Sequence, residues 1–361
     1  MRRLLLLLVG LLALAAVAVA SSGGATRAQP HWVIRDLGTL GRGDFFKYQG
    51  FSLASAINDQ GQIVGWSWRT EDELWGGSGH AFLWEDGTMR DLGAFRGLPN
   101  SRARDINNEG QIVGESFTFP ALRDEWSFDR KRSRAVLWED GQMRTLPGSR
   151  ARALGINDKG EIVGWVGGNE AERAALWQAG RLRVFGNPGS SEAVDLNERT
   201  QVVGMYGDWS FGDGAFWGSS GFLWENGTVH DLGSLARGVN VGWSSGVTAI
   251  NDSGQIVGGR NDYATVWEGG VPRRLPSPSR AVASYASDIN ERGQIVGSWS
   301  QDTDTARPAL WENGRLTLLP GLPGGRGEGE AWSINMQGQI VGWATTRSTY
   351  YSHAVLWTLK P

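Results

Sequence analysis

The sequence predicts an all-β chain: a seven-bladed β-propeller with four antiparallel strands per blade, the last blade closed by the N-terminal strand. Three observations carry this. A nine-residue phrase returns seven times, a second phrase ending in tryptophan follows each copy, and the fourth strand missing from the last repeat stands at the front of the chain. The first phrase begins as Ile57-Asn58-Asp59-Gln60-Gly61-Gln62-Ile63-Val64-Gly65 and recurs at 106–114, 156–164, 196–204, 250–258, 289–297 and 334–342. Its spacing runs from 39 residues (Ile250 to Ile289) to 54 (Leu196 to Ile250), a period that marks a repeat architecture. The second phrase supplies Leu83-Trp84, Leu137-Trp138, Leu176-Trp177, Leu223-Trp224, Val266-Trp267, Leu310-Trp311 and Leu356-Trp357.

Within one repeat, four segments alternate polar and apolar residues at period two, as in 102–107, 111–117, 134–139 and 142–146. The first two strands are joined by Asn-x-x-Gly. The last two are joined by Trp-Glu-Asp-Gly (84–87, 138–141) or Trp-Glu-Asn-Gly (224–227, 311–314), which suit tight hairpins because Asp, Asn and Gly tolerate positive φ. Such reversals disfavour a parallel solenoid. The last repeat stops after its third strand, at Leu359-Lys360-Pro361, while Trp32-Val33-Ile34-Arg35-Asp36-Leu37-Gly38 matches the fourth-strand phrase Met89-Arg90-Asp91-Leu92-Gly93. Pairing of the two ends closes the ring and hides a sheet edge.

The start reads Met1-Arg2-Arg3, an apolar run from Leu4 to Ala20, then Ser21-Ser22-Gly23-Gly24, the order of a secretory signal. Residues 1–28 are therefore expected to be a signal peptide and short spacer, cut after Ala20 or Ala28 or kept as an anchor, and 29–361 a single propeller in a secreted, periplasmic or cell-surface protein. No later stretch is apolar enough to span a bilayer. The chain has no cysteine, so stability must come from its core. A net charge of −3 with no basic run argues against nucleic acid, and a monomer is expected.

The repeated residues read as structural. The tryptophans fill blade interfaces. The asparagines cap their own turns, in preference to a calcium loop, which would need regularly placed oxygen ligands. Thr200, where six copies have glycine, is expected to mark a relaxed or rebuilt turn. Alanine, or once Val247, stands three residues before each isoleucine and lets the inner strands crowd the axis. With only four histidines and no Ser-His-Asp or Gly-x-Ser-x-Gly pattern, no catalytic residue, metal or cofactor is expected. The Ile-Asn-Asp-x-Gly-Gln-Ile-Val-Gly phrase followed by His80-Ala81-Phe82-Leu83-Trp84 resembles the HAF repeat of bacterial extracellular proteins over essentially the whole mature chain, although only the first and last repeats begin the second phrase with His-Ala. The resemblance implies export and no particular activity.

Function is sought where repeats differ. The connections from second to third strand and from fourth strand to the next blade are long, irregular and rich in rings on one face, including Trp68, Trp126, Trp209, Trp299 and Trp343. On the same face, four residues before each isoleucine, stand Leu53, Arg102, Arg152, Glu192, Gly246, Tyr285 and Glu330. Arg102 and Arg152 suit a carboxylate or phosphate. The expected function is a binding module for an unknown glycan, peptide or envelope protein. The alternative is a polysaccharide-acting hydrolase or lyase using Glu192 and Glu330, whose blades, three apart, predict a separation beyond roughly 10 Å, outside the range of glycosidase carboxylate pairs.

Overall fold

The computed structural model describes residues 30–41, 50–68, 79–118, 132–167, 171–186, 190–209, 216–234, 246–302, 305–347 and 351–361, with backbone alone at 208–209 and 216–219. Among them the chain forms 28 strands, from β1 (His31–Asp36) to β28 (Ser352–Lys360), and no α-helix. These make seven four-stranded sheets. Six are built from four consecutive strands. The seventh has the order β1-β28-β27-β26, where β26 is Gly329–Ile334 and β27 is Ile340–Thr345. The two ends of the chain pair antiparallel from His31 opposite Lys360 to Asp36 opposite Val355. The chain is a β-propeller, closed by its own N-terminal strand.

Turn chemistry explains the hairpins. Asp86, Asp140, Asn226 and Asn313 adopt φ of 50 to 51° and are each followed by a glycine at positive φ, the pattern a two-residue reversal requires. One connection departs from the expectation that all second-to-third links are long: in the fifth blade Arg260 pairs directly with Tyr263 across Asn261 and Asp262, both at positive φ.

Each first strand carries a β-bulge just after the alanine column, as between Ala54 and Ala56 in the first blade or between Ala103 and Asp105 in the second. The bulge brings backbone so close that a Cβ on Gly65 would lie 2.0 Å from the Leu53 carbonyl oxygen, and Gly114, Gly164, Gly204, Gly258, Gly297 and Gly342 meet the equivalent oxygen at 1.9 to 2.1 Å. The glycine that ends each phrase is thereby explained: no other residue fits opposite the bulge.

Cores form between neighbouring blades. One joins Val64 and Leu83 of the first blade to Ala103 and Trp138 of the second, and the seam is sealed likewise by Val341 and Leu356 against Ile57 and Trp84. All seven phrase tryptophans are at most 6% exposed, and Trp138, Trp177, Trp311 and Trp357 donate their indole N–H to a carbonyl of the preceding blade (Leu92, Pro147, Pro276, Pro320). Each of these four is a core residue with its one polar atom satisfied.

The asparagines do more than cap. Asn58 Oδ1 accepts from the backbone N–H of Gln60 and Gln62, and Nδ2 donates to the carbonyl of Asn107 in the next blade. Asn107 donates to Asn157, and so on through Asn197, Asn251, Asn290 and Asn335, which returns to Asn58. Seven side chains thus close a circle of buried hydrogen bonds.

Two exceptions in the repeat explain each other. Thr200 keeps the glycine's left-handed backbone at φ 60°, so the turn is neither relaxed nor rebuilt. Its hydroxyl donates to Glu161 Oε2 at 2.7 Å in the preceding blade, the copy in which glutamate replaces the usual glutamine. In five other blades the glutamine donates to a third-strand glutamate, as Gln62 does to Glu85. In blade three the pair is inverted, Gln178 donating to Glu161. A buried carboxylate needs the extra donor, which threonine supplies. Thr200→Val should therefore destabilise by about 1 to 3 kcal/mol in urea unfolding, since it keeps the backbone strain and removes the bond. An unchanged midpoint would show the hydroxyl to be incidental.

Candidate functional site at the channel mouth

Along each first strand, buried and half-buried residues alternate. In Ser52–Ile57 the half-buried ones are Leu53 and Ser55. In Asn100–Ile106 they include Arg102 and Arg104, in Ala151–Ile156 Arg152 and Leu154, in Ser190–Leu196 Glu192 and Val194, in Ala283–Ile289 Tyr285 and Ser287, and in β26 Glu330 and Trp332. These are the side chains of the innermost strands that line the axis, and they do not repeat. The residue after each phrase-ending glycine lies directly opposite the outer member of this row: Trp66 opposite Leu53, Glu115 opposite Arg102, Trp165 opposite Arg152 and Trp343 opposite Glu330.

Glu115 is the centre of one side. It is 1% exposed, accepts from Arg104 Nη2 at 2.9 Å and from Arg152 Nε at 2.5 Å, and bridges blades two and three. Burial alone would raise its pKa, but Arg152, Arg104 and Arg102 outweigh burial and hold the carboxyl at about 2. Burial, with the charges of Arg104 and Arg152, lowers Arg102 to about 9 against the pull of Glu115, so it stays cationic at neutral pH. The guanidinium of Arg102 lies 5.0 Å from the Trp66 ring centroid and that of Arg152 5.6 Å from Trp165, both in cation–π range. Arg152 bonds a carboxylate that belongs to the chain itself, and the charge of Arg102 acts on the same group. The sequence reading missed Glu115, Arg104 and Trp165. The available signal was an acid in the column that holds Trp66, Trp165 and Trp343 in other blades.

The other side is acidic. Glu330 Oε2 accepts from the indoles of Trp332 (2.8 Å) and Trp343 (3.4 Å), and burial raises its pKa against these bonds. Burial, with the charges of Glu330 and Glu192, pushes the Tyr285 hydroxyl well above its ordinary value. A Cβ on Gly246 would lie 2.8 Å from Met205 Sδ, so the glycine makes room for that thioether, and Tyr285 Oη at 3.5 Å would be an ordinary contact.

Just beyond the bulge lie three acids in alternate blades. Asp105, Asp195 and Asp288 each accept from the N–H of the residue that follows and from the N–H of Ile156, Ile250 or Ile334 in the next blade. Burial lifts Asp105 to about 7 against those bonds, and it raises Asp195 and Asp288 too, with mutual repulsion adding for the first two. Folded pKa values above the unfolded one mean that this contribution is full below about pH 4 and lost as pH rises through about 7. Asp105 alone should make the protein more stable at pH 5 than at pH 8 by about 2 to 3 kcal/mol, read as a higher urea midpoint, and Asp105→Asn should reduce the difference while Asp195 and Asp288 keep its sign. A midpoint that rises with pH over that range would contradict this. Below about pH 4 the slope reverses as Glu115 loses its charge.

Of the tryptophans expected on the loop face, Trp343 and Trp68 are half-buried, and Trp68 packs 5.2 Å from Phe51 and 6.1 Å from Trp66. Trp299 is 3% exposed in the core of blades five and six and offers no stacking surface. Trp126 and the Trp209 side chain lie outside the described residues, as do most of the aromatic loops. The two repeat-phrase histidines pair with the Asp-Leu-Gly phrase of their own blades: His80 Nδ1 lies 2.8 Å from Asp91, and His353 Nδ1 lies 2.8 Å from Asp36 across the closing seam. Among the described residues no group of three or more His, Cys, Asp or Glu is arranged to hold a metal ion.

No protein-family model and no curated protein matches the chain. Solved structures do. The β-propeller domain of the Trilobed protease from Pyrococcus furiosus superposes with a TM-score of 0.56 at 10% identity, covering 86% of this chain and 97% of that one. Pyrococcus horikoshii acylaminoacyl peptidase gives 0.54 at 11%, covering 86% of this chain and 52% of that one, so the chain spans about half its length. At such identities the likeness is one of fold. The Trilobed protease domain is described as having an open velcro topology, whereas β1 and β28 here are fully laddered.

Proposed function

We propose that this propeller is an exported binding module, acting outside the cell or in the envelope, that holds its ligand at the mouth of the axial channel on the face of the long connections. The observation that carries the reading is the charged row itself. A seven-bladed ring needs only small or apolar residues there, as Leu53, Gly246 and Leu154 demonstrate, yet this chain holds three arginines and three glutamates in that mouth. Burying such groups opposes folding unless something is gained. The signal-like start and the resemblance to HAF repeats support export. A glycan and peptide array probed with the purified protein tests the reading: Arg104→Gln should weaken the bound spots about tenfold. Spots unchanged by that substitution would move the ligand elsewhere, and a blank array would favour a scaffold role.

A further inference from the structure

The fifth blade departs from the repeat in its outer half, away from the channel. Its second, third and fourth strands are Ile256–Arg260, Tyr263–Glu268 and Val271–Arg274, and the face they turn toward blade four carries Arg260, Thr265 and Arg274. No other blade has this set. By register, the position of Thr265 holds Phe82, Val136, Ala175, Phe222, Ala309 and Val355 in the other blades, so a hydroxyl here replaces a core side chain. The position of Arg274 holds aspartate in three of them: Asp91, Asp231 and Asp36. A cleft of about 310 Å³ opens at this place, lined by Arg260, Asn261, Tyr263, Thr265, Pro272 and Arg274.

Two guanidiniums line the cleft and no carboxylate does. Arg260 Nε donates to the Ser234 carbonyl of blade four, while Arg274 lies 3.1 Å from the Tyr263 ring centroid and donates through Nη2 to the Ser277 hydroxyl. Both are thus held by neutral groups, and neither is ion-paired among the described residues. The adjacent Arg273 differs: strand alternation puts it on the opposite face, where Glu268 lies 3.6 Å away. Behind the cleft the packing is incomplete. Four phrase tryptophans bond a carbonyl of the preceding blade, but the indole N–H of Trp267, whose register partner is Pro272, is buried without a partner, as is Asn261 Oδ1. Polar groups left unsatisfied at the one interface with a changed core position mark a surface shaped for something other than packing.

We propose that this cleft, on the blade-four side of blade five and outside the axial channel, binds a small phosphate monoester. Such a group carries about −2 at neutral pH and presents three terminal oxygens to the donors that Arg260 and Arg274 have left. It matches both guanidiniums in charge, whereas a sulfate monoester or a carboxylate matches one. Thr265 leaves open the depth that phenylalanine fills in blades one and four, and Pro272 and Tyr263 border the organic group.

The test is calorimetric titration at pH 7.5 with phenyl phosphate, phenyl sulfate and benzoate, which share a ring and differ in head group. Phenyl phosphate should bind at least tenfold more tightly than the other two. Arg274→Gln and Arg260→Gln should each weaken it at least tenfold, while Arg273→Gln, the same change of charge one residue away, leaves it unchanged. Arg274 is exposed, so its replacement does not threaten the fold. No binding of phenyl phosphate, equal affinity for the three head groups, or a loss as large with Arg273→Gln as with Arg274→Gln overturns the site. Arg104→Gln should have no effect here. A loss on that substitution instead would put the phosphate at the channel mouth and overturn the assignment, whereas the channel-mouth reading stands or falls on the array.

Discussion

Glu115→Ala should cost this protein about 3 to 5 kcal/mol, more than any other single side-chain change we expect. The carboxylate is 1% exposed and two guanidiniums bond it, so its removal leaves Arg104 and Arg152 facing each other and Arg102 without their shared counter-charge. Coulomb repulsion and desolvation then act together, because the Arg104 and Arg152 side chains are only 26% and 14% exposed and water screens them incompletely. Glu115→Gln keeps the shape and one acceptor and should cost less. Adding Arg152→Ala to Glu115→Ala should recover part of the loss, since it removes one uncompensated charge, and the non-additivity measures the coupling. Urea unfolding reads all three. A loss below about 1 kcal/mol for Glu115→Ala would mean that the arginines relax outward into the channel and that the cluster is less confined than its burial implies.

The second large effect concerns the seam. Removing residues 30–36 should lower stability by on the order of 5 kcal/mol or more and introduce concentration-dependent association through the uncovered edge. Six residue pairs between β1 and β28 are lost, together with the packing of Trp32 and Ile34 on the core of the last blade and the contact of Asp36 with His353. That contact has its own signature. Burial raises the Asp36 pKa, but the hydrogen bond and charge of His353, with the N–H of Gly38, hold it below its ordinary value. Its share of stability is therefore present above about pH 4 and is lost on acidification below that. The uncovered β28 becomes an open sheet edge, so a synthetic peptide spanning 30–41 should restore the melting temperature by strand addition. Full stability of the truncated chain without peptide would show the closing strand to be dispensable.

Much of this was legible in the sequence, for a particular reason. Sevenfold repetition averages out local ambiguity: one Ile-Asn-x-x-Gly is a weak turn signal, but seven copies with displaced termini specify a closed ring. Contacts between copies were harder to read. Asn58 is visible as a turn residue, yet its bond to the Asn107 carbonyl joins residues 49 apart, and only the ring places one blade's turn against the next. Thr200 read as a lapse confined to its own turn because its bond to Glu161 crosses a blade boundary. The channel mouth was half legible. Arg102, Arg152, Glu192, Tyr285 and Glu330 stood out against an alanine column, but Glu115 comes from the second strand and reaches that layer only through its register opposite Arg102. The pairing of His80 with Asp91 was written in two phrases that occur together in the first and last blades, and each phrase taken alone suggested nothing of the other.

The asparagine circle has one further implication. Every member donates in the same rotational sense, from each blade to the next and from the seventh back to the first, so the circle contains no first link. Where the polypeptide is cut is then a matter of covalent history rather than of architecture. His31 lies opposite Lys360, so a short linker from Pro361 to Pro30, in place of residues 1–29, would join the two strands of the seam, and new ends could be opened at Gly97, in the turn that precedes the second blade. Such a permuted chain would begin in a different blade and still complete the same seven bonds.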